Sequence, residues 1–79
     1  MLKAKVYVTL KRGVLDPQGQ AVARSLARLG FDEVKDARIG KYIELELQGD
    51  AAAAKARLEQ MCEKLLANTV IEEYRVEIA

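Results

Sequence analysis

The chain is 79 residues long, with one cysteine, no histidine and a net charge of +1. These numbers exclude an internal disulfide, argue against a zinc site, and remove histidine-dependent nucleophiles and bases from the chemistry of one copy. A domain this small buries only about 60% of the surface of its unfolded chain, so we expect it to associate with itself or with a larger partner.

The distribution of charge and hydropathy bears on location and partners. Residues 1–41 carry nine basic and four acidic side chains, whereas residues 42–79 carry four basic and eight acidic ones. The near-zero total argues against nucleic acid as the main partner. No apolar run resembles a signal peptide or reaches the roughly 20 residues that span a membrane. With a single free thiol, the cytoplasm is the expected location.

The first predicted element is a strand and the second is a helix. Residues 3–10 alternate between apolar and polar side chains, a period of two that indicates a half-buried strand. Asp16 and Pro17 then suit the N-cap and the first position of a helix. An apolar stripe at helical spacing follows, and Gly30 marks its end; the stripe consists of Val22, Leu26 and Leu29.

Two further strands are predicted in the middle of the chain. Residues 33–39 form the weaker one, with Val34, Ala37 and Ile39 as its apolar positions. Residues 42–48 alternate clearly. Only Gly40 and Lys41 separate the two runs, so we predict an antiparallel hairpin in which Gly40 supplies unusual backbone angles.

The last predicted elements are a second helix and a final strand. Asp50 can cap the helix, whose apolar stripe consists of Ala54, Leu58, Met61, Cys62 and Leu65. Asn68 and Thr69 close it. Residues 70–78 alternate again, with Tyr74, Val76 and Ile78 predicted to be buried.

Together the elements follow the order β-α-β-β-α-β, that of the ferredoxin-like sandwich. We therefore expect an α+β domain with a four-stranded antiparallel sheet and two helices on one face. The first and third strands would be neighbours, so basic and acidic residues would interleave on the open face. We predict a homodimer through this face, with contacts made by Lys5, Tyr7, Thr9, Tyr42, Glu44 and Glu46.

Few residues are candidates for chemistry. Cys62 lies on an apolar stripe, which favours buried packing over a reactive thiol. Gly19 in the first helical turn costs about 1 kcal/mol against alanine, so it either allows close approach by a partner or is tolerated. Arg38 and Lys41 beside Gly40 could grip an anion, but one glycine is not a phosphate loop. We predict no catalytic, cofactor-binding or metal-binding residues.

RNA binding is a competing interpretation, because RNA-recognition domains share this strand order and stack bases on central aromatic residues. Tyr7 and Tyr42 would occupy such positions. Four carboxylates on the same face would repel phosphate, and we therefore disfavour this function; they are Glu44, Glu46, Glu73 and Glu77.

Several segments resemble one family, the PurS subunits of multi-subunit phosphoribosylformylglycinamidine synthases. The segments that carry the resemblance are KVYVTLKRGVLDPQG, Leu29-Gly30-Phe31, Val34, the run from Arg38 to Ile43, and MCEKLLAN from Met61 to Asn68. The combination is specific, although each piece alone is weak. The family usually has proline where this chain has Thr69, a departure that concerns helix termination.

This resemblance implies a single PurS-like domain over residues 1–79. It implies a non-catalytic, dimeric bridge between a synthetase subunit (PurL) and a glutaminase subunit (PurQ), which also assists ammonia transfer. The complex would use ATP and magnesium, with no cofactor held by this subunit. We place the partner interface at Asp16, Gln18, Gly19, Arg38, Gly40, Lys41 and Tyr42. The alternative is an ACT-like module that binds small molecules.

Overall fold

The computed structural model describes residues 1–79 and contains an antiparallel sheet of three strands with two α-helices. The strands are β1 (Leu2–Leu10), β2 (Gly40–Leu47) and β3 (Glu72–Ile78), in the order β2-β1-β3. The helices are α1 (Pro17–Arg28) and α2 (Ala51–Met61). The predicted α+β class and both helices are confirmed. The predicted pairing of the first strand with the strand at residues 42–48, which is β2 here, is confirmed as well.

The predicted strand at residues 33–39 does not form, so the sheet has three strands instead of four. Three backbone N–H groups of this segment donate outside any sheet. Val34 donates to the Phe31 carbonyl, Ala37 donates to the Asp36 side chain, and Ile39 donates to Asp16. The predicted hairpin is therefore absent. Gly40 is instead the first residue of β2, and its φ is not positive. The outer edge of β2 is unpaired.

The register of β1 against β2 agrees with the predicted open face. Lys5 lies opposite Glu44, Tyr7 opposite Tyr42, and Lys3 opposite Glu46. The opposed charges do not form ion pairs within 4 Å, however. The ion pairs in the structure join Lys41 to Glu72 and Arg75 to Glu77. The open face therefore has opposite charges on neighbouring strands, but these side chains are not held in ion pairs with each other.

The core lies between the other face of the sheet and α2. Its buried members are Ala4, Val6, Val8, Leu58, Cys62 and Ala67. The prediction that Cys62 is a buried packing residue is confirmed. No residue of α1 belongs to this core or packs against it, so the expected arrangement of two helices on one face is not confirmed within the chain.

A π-helical turn, Cys62–Leu66, continues α2 and changes which residues face the core. Ala67 donates to the carbonyl of Cys62, five residues back. The wider turn carries Leu66 and Ala67 toward the sheet, whereas Leu65 is 83% exposed. The prediction that Leu65 is buried is wrong, because it assumed that the α-helical period continued through this turn.

Residues 11–39, here called the arm, connect the end of β1 to the start of β2 and include α1. The molecule extends 48 Å along its longest axis, whereas a nine-residue strand spans about 30 Å. The arm therefore extends beyond the end of the sheet. Neither helix has the length and apolar character required to cross a membrane.

Candidate functional site

Asp16, at the start of α1, links the two ends of the arm. Its Oδ1 atom accepts the N–H of Gly19 at 2.8 Å, as expected for an N-cap. Its Oδ2 atom accepts the N–H of Ile39 at 2.9 Å, just before β2 begins. The cap was predicted, whereas the second bond spans 23 positions and has no local sequence signal. One carboxylate thus fixes both ends of the arm.

Gly19 is buried beneath this carboxylate. A Cβ atom at this position would lie 2.1 Å from the carbonyl oxygen of Ala37, closer than real atoms approach. The close approach expected of Gly19 therefore occurs within the chain and needs no partner. Gly40 has the same relation to β1, because its Cβ would lie 2.3 Å from the carbonyl oxygen of Val8. Both glycines lie where the arm meets the sheet, a region called here the base of the arm (Asp16, Gln18, Gly19 and residues 37–41).

Most of the predicted partner-contact residues meet at the base of the arm. Asp16, Gln18, Gly40 and Lys41 line one depression of about 450 Å³. Asp16 and Arg38 line a second depression of about 250 Å³. Tyr42 is separate, since its ring lies beside Tyr7 on the open face. The structure therefore divides the predicted set into the base of the arm and the open sheet face.

Charges of both signs lie around Arg38 and Lys41, the two residues that could grip an anion. The Nζ atom of Lys41 lies 3.8 Å from a carboxylate oxygen of Glu72. The depression that contains Arg38 is also lined by the cations Lys11 and Arg12 and by the carboxylates of Asp16 and Asp36. Hydrogen bonds from Gly19 and Ile39 lower the pKa of Asp16, and nearby Arg38 contributes further. The surface is one of mixed charge, suited to polar contacts with a protein.

The open sheet face carries an ordered aromatic and charged cluster. The Tyr7 hydroxyl donates to Glu77 at 3.1 Å, and the Arg75 guanidinium lies 4.2 Å from the centre of the Tyr7 ring. Arg75 also donates to Glu77. The Tyr7 hydroxyl and then Arg75 lower the pKa of Glu77. Arg75 was not among the predicted site residues, although the pairing of β1 with β3 places it opposite Tyr7.

The Tyr74 hydroxyl and the Cys62 thiol, on the helical side of the sheet, stay protonated at neutral pH. The Tyr74 hydroxyl donates to Glu63 at 2.8 Å, and this bond raises the pKa of Tyr74 to about 12. Burial, followed by Glu63 and Glu59, raises the pKa of the Cys62 thiol. No group of three or more acidic, histidine or cysteine residues is placed to hold a metal ion. The arrangement fits recognition better than acid–base chemistry.

Replacing Asp16 with asparagine is expected to lower the urea midpoint of unfolding at pH 7. The amide retains one acceptor oxygen but turns an N–H donor toward Gly19 or Ile39. Because folding lowers the pKa of Asp16, its stabilisation is present above the unfolded value of 3.8 and is lost as pH falls through the lower folded value. The difference in midpoint between wild type and variant should therefore narrow from pH 7 to pH 3.

The matched control for this prediction is Asp50→Asn, which alters a cap on α2 that accepts a single backbone bond from Ala53. We expect the control to lower the midpoint less at pH 7. A difference between Asp16→Asn and wild type that stays constant from pH 7 to pH 3 would contradict the assigned role of the ionised carboxylate.

Comparison with known proteins gives a consistent result over the whole chain. The profile of the family PurS, phosphoribosylformylglycinamidine (FGAM) synthase, matches residues 3–79. The PurS subunit of FGAM synthase from Bacillus subtilis is 54% identical over 78 residues, covering 99% of this chain and 93% of that protein. The Synechocystis PurS subunit is 56% identical over 75 residues, covering 94% and 75%.

Solved structures agree with these relatives. A crystal structure of Bacillus subtilis PurS superposes with a TM-score of 0.91 at 53% identity, covering 100% of this chain and 99% of that one. A chain in the structure of PurLQS from Thermotoga maritima superposes with a TM-score of 0.88 at 33% identity, with the same two coverages.

Proposed function

This chain belongs to the PurS family of FGAM synthase subunits, and from that premise we propose that it is the non-catalytic assembly subunit of such a synthase. Relatives are named as subunits of the enzyme EC 6.3.5.3 and of the purine biosynthetic pathway, and we expect the enzyme to be an ATP-dependent ligase. In the proposed complex, formylglycinamide ribonucleotide, glutamine and ATP give the amidine. This subunit joins the synthetase to the glutaminase and assists the transfer of ammonia between them.

The observation that carries the proposal is the full-length likeness to a chain of PurLQS from Thermotoga maritima. An assembly subunit should share its whole fold with one component of the assembled enzyme, and this chain does so with a chain of PurLQS. The site agrees with this function, because the Cys62 thiol is buried and the Tyr74 hydroxyl is held protonated by Glu63. We expect ATP and magnesium to bind in the complex outside this subunit, and the complex to act in the cytoplasm.

The base of the arm is the surface that we propose for the synthetase and glutaminase subunits. Gln18, Arg38 and Lys41 are exposed there and offer polar side chains. Asp16 and Gly19 support the surface from below through contacts within the chain. The strand order is that of a ferredoxin-like sandwich without one edge strand, and we include the unpaired edge of β2 in the proposed partner surface.

We also propose that the open sheet face joins two copies, as the sequence predicts. The face carries two tyrosines and one arginine, residue types that are common at protein interfaces, and the Tyr7 ring is held in place by Arg75 and Glu77. The ACT-like alternative is not favoured, because the match to the PurS family covers residues 3–79.

Reconstitution of the synthase tests the proposed function. Purified synthetase and glutaminase subunits should form the amidine from glutamine at the background rate without this chain, and its addition should restore turnover. The isolated chain should show neither synthase nor glutaminase activity. With ammonium salt in place of glutamine, the synthetase should work without this chain, because free ammonia removes the need for transfer. Unchanged glutamine-dependent turnover on omission would contradict the proposal.

A further inference from the structure

Three exposed cations surround a polar depression at the end of the sheet. Lys11 and Arg12 directly follow β1, and Arg38 lies two residues before β2. All three line a depression of about 250 Å³, here called the cationic depression. Neither ion pair of the structure involves them, and none of its side-chain hydrogen bonds does. The backbone N–H groups of Arg12 and Gly13 also have no backbone acceptor in the chain, so several donors are available to a ligand.

Two carboxylates also line the cationic depression, but the backbone holds most of their oxygen atoms. Both oxygens of Asp16 accept backbone N–H groups, from Gly19 at 2.8 Å and from Ile39 at 2.9 Å. One oxygen of Asp36 accepts the N–H of Ala37 at 2.9 Å. The carboxylates therefore do not form ion pairs with the three cations, which outnumber them by one positive charge.

The backbone fixes both walls of the cationic depression. On one wall, the Val14 N–H donates to the Lys11 carbonyl at 3.1 Å and closes a turn. Gly13 has a φ of +88° at the third position of this turn, as a type II turn requires. On the other wall, the N–H of the residue after Arg38 is bound by Asp16. A ligand would therefore have to order side chains only, which reduces the entropic cost of binding.

We propose that the cationic depression binds a phosphate group, either as inorganic phosphate or as the phosphate ester of a small sugar. A phosphate dianion offers at least three oxygens to charge-assisted hydrogen bonds, which suits two arginines and a lysine. A carboxylate has one charge and two oxygens, which a single arginine satisfies. No aromatic residue lines the depression, so a nucleobase has no ring to stack on and the phosphate group itself is the recognised part.

The two sources of the phosphate group relate differently to the synthase. The cationic depression adjoins the base of the arm, which we assign to contacts with the other subunits. A phosphate ester would be the ribonucleotide substrate, and that source rests on the proposed function. Inorganic phosphate would bind whether or not the chain acts in a synthase. Because binding is measured on the isolated chain and the proposed function by reconstitution, the failure of one is distinguishable from the failure of the other.

Titration of the amide NMR spectrum of the purified full-length chain tests the phosphate site. The probes are inorganic phosphate, ribose 5-phosphate and acetate, at about pH 7.5, where both phosphates are mostly dianions. Ionic strength is held at about 0.1 M, because salt screens exposed charges. We expect saturable shifts in residues 11–14 and 36–39, with a dissociation constant on the order of 1 mM for at least one phosphate and about tenfold weaker binding of acetate. The tighter of the two phosphates identifies the source.

Removal of one cation should weaken the binding of phosphate. Arg12→Gln and Arg38→Gln each change an exposed side chain, and we expect each to raise the dissociation constant about tenfold. Arg24→Gln is the matched control, because it makes the same change at an exposed arginine of the arm that does not line the cationic depression. Its dissociation constant should stay within about twofold of the wild-type value. Amide spectra without ligand check that each variant is folded.

Four results would overturn the phosphate site. Shifts that grow in proportion to the ligand without saturation indicate only a general effect of salt. Acetate that binds as tightly as either phosphate indicates a site for any anion. Unchanged affinity in both Arg12→Gln and Arg38→Gln places the binding elsewhere, and an equal loss in Arg24→Gln indicates that the net charge of the chain is responsible.

Discussion

Replacing Leu58 with alanine is expected to lower the free energy of unfolding by about 3 kcal/mol, within the usual 2–5 kcal/mol for a buried leucine. Leu58 is completely buried in the core beside Val6, Val8 and Cys62. A chain of this length has only about 4–12 kcal/mol of total stability. The change would therefore remove a large share of it, and urea unfolding followed by circular dichroism would measure the loss.

Leu15→Ala is the matched control, since it makes the same chemical change at a side chain that is 66% exposed. We expect it to alter the free energy of unfolding by less than about 0.5 kcal/mol. Both variants should be compared with wild type at one protein concentration, because association would add to the apparent stability. Equal losses for the two variants would contradict the placement of the core between α2 and the sheet.

Replacing Gly19 with alanine is expected to destabilise the protein by about 1–3 kcal/mol, the range for inserting an atom into a filled space. On helix propensity alone, the same change should stabilise α1 by about 1 kcal/mol. The two effects differ in sign, so the experiment separates them. The new methyl group would meet the backbone carbonyl of Ala37, which moves only with the segment that leads into β2.

The control for this prediction is Gln20→Ala in the same turn of α1, where the side chain is exposed. We expect it to leave stability unchanged or to raise it by a few tenths of a kcal/mol. Faster hydrogen exchange of the Ile39 amide in Gly19→Ala would show that the base of the arm has opened. A Gly19→Ala variant more stable than wild type would contradict the close approach.

Local patterns were sufficient to predict the elements that the structure confirms. Alternation along β1, β2 and β3 reflects one buried face of a sheet, and that requirement is visible in each strand alone. Asp16 and Asp50 cap their helices through bonds that span three residues. The open face followed from the strand order, because neighbouring strands determine which outward side chains meet.

The rest depends on contacts that local patterns do not contain. The alternation of Val34, Ala37 and Ile39 resembles a weak strand, but the bond from Ile39 to Asp16 directs this segment to the arm. The exposure of Leu65 depends on a change of helical period within one turn. The apolar stripe of α1 predicted a buried side, but no residue of α1 packs against the core of this chain, because periodicity does not say which surface a helix meets.

The central position of β1 has a consequence for the kinetics of folding. β1 ends at Leu10, whereas its two neighbours begin at Gly40 and Glu72, and Lys3 exchanges two backbone hydrogen bonds with Ala79. No strand pair can start from a local hairpin, so each must close a long loop before any contact compensates the lost entropy. Folding slower than that of a helical bundle of the same length follows. During synthesis, β1 remains without either neighbour until β2 emerges, and the sheet is completed only by β3.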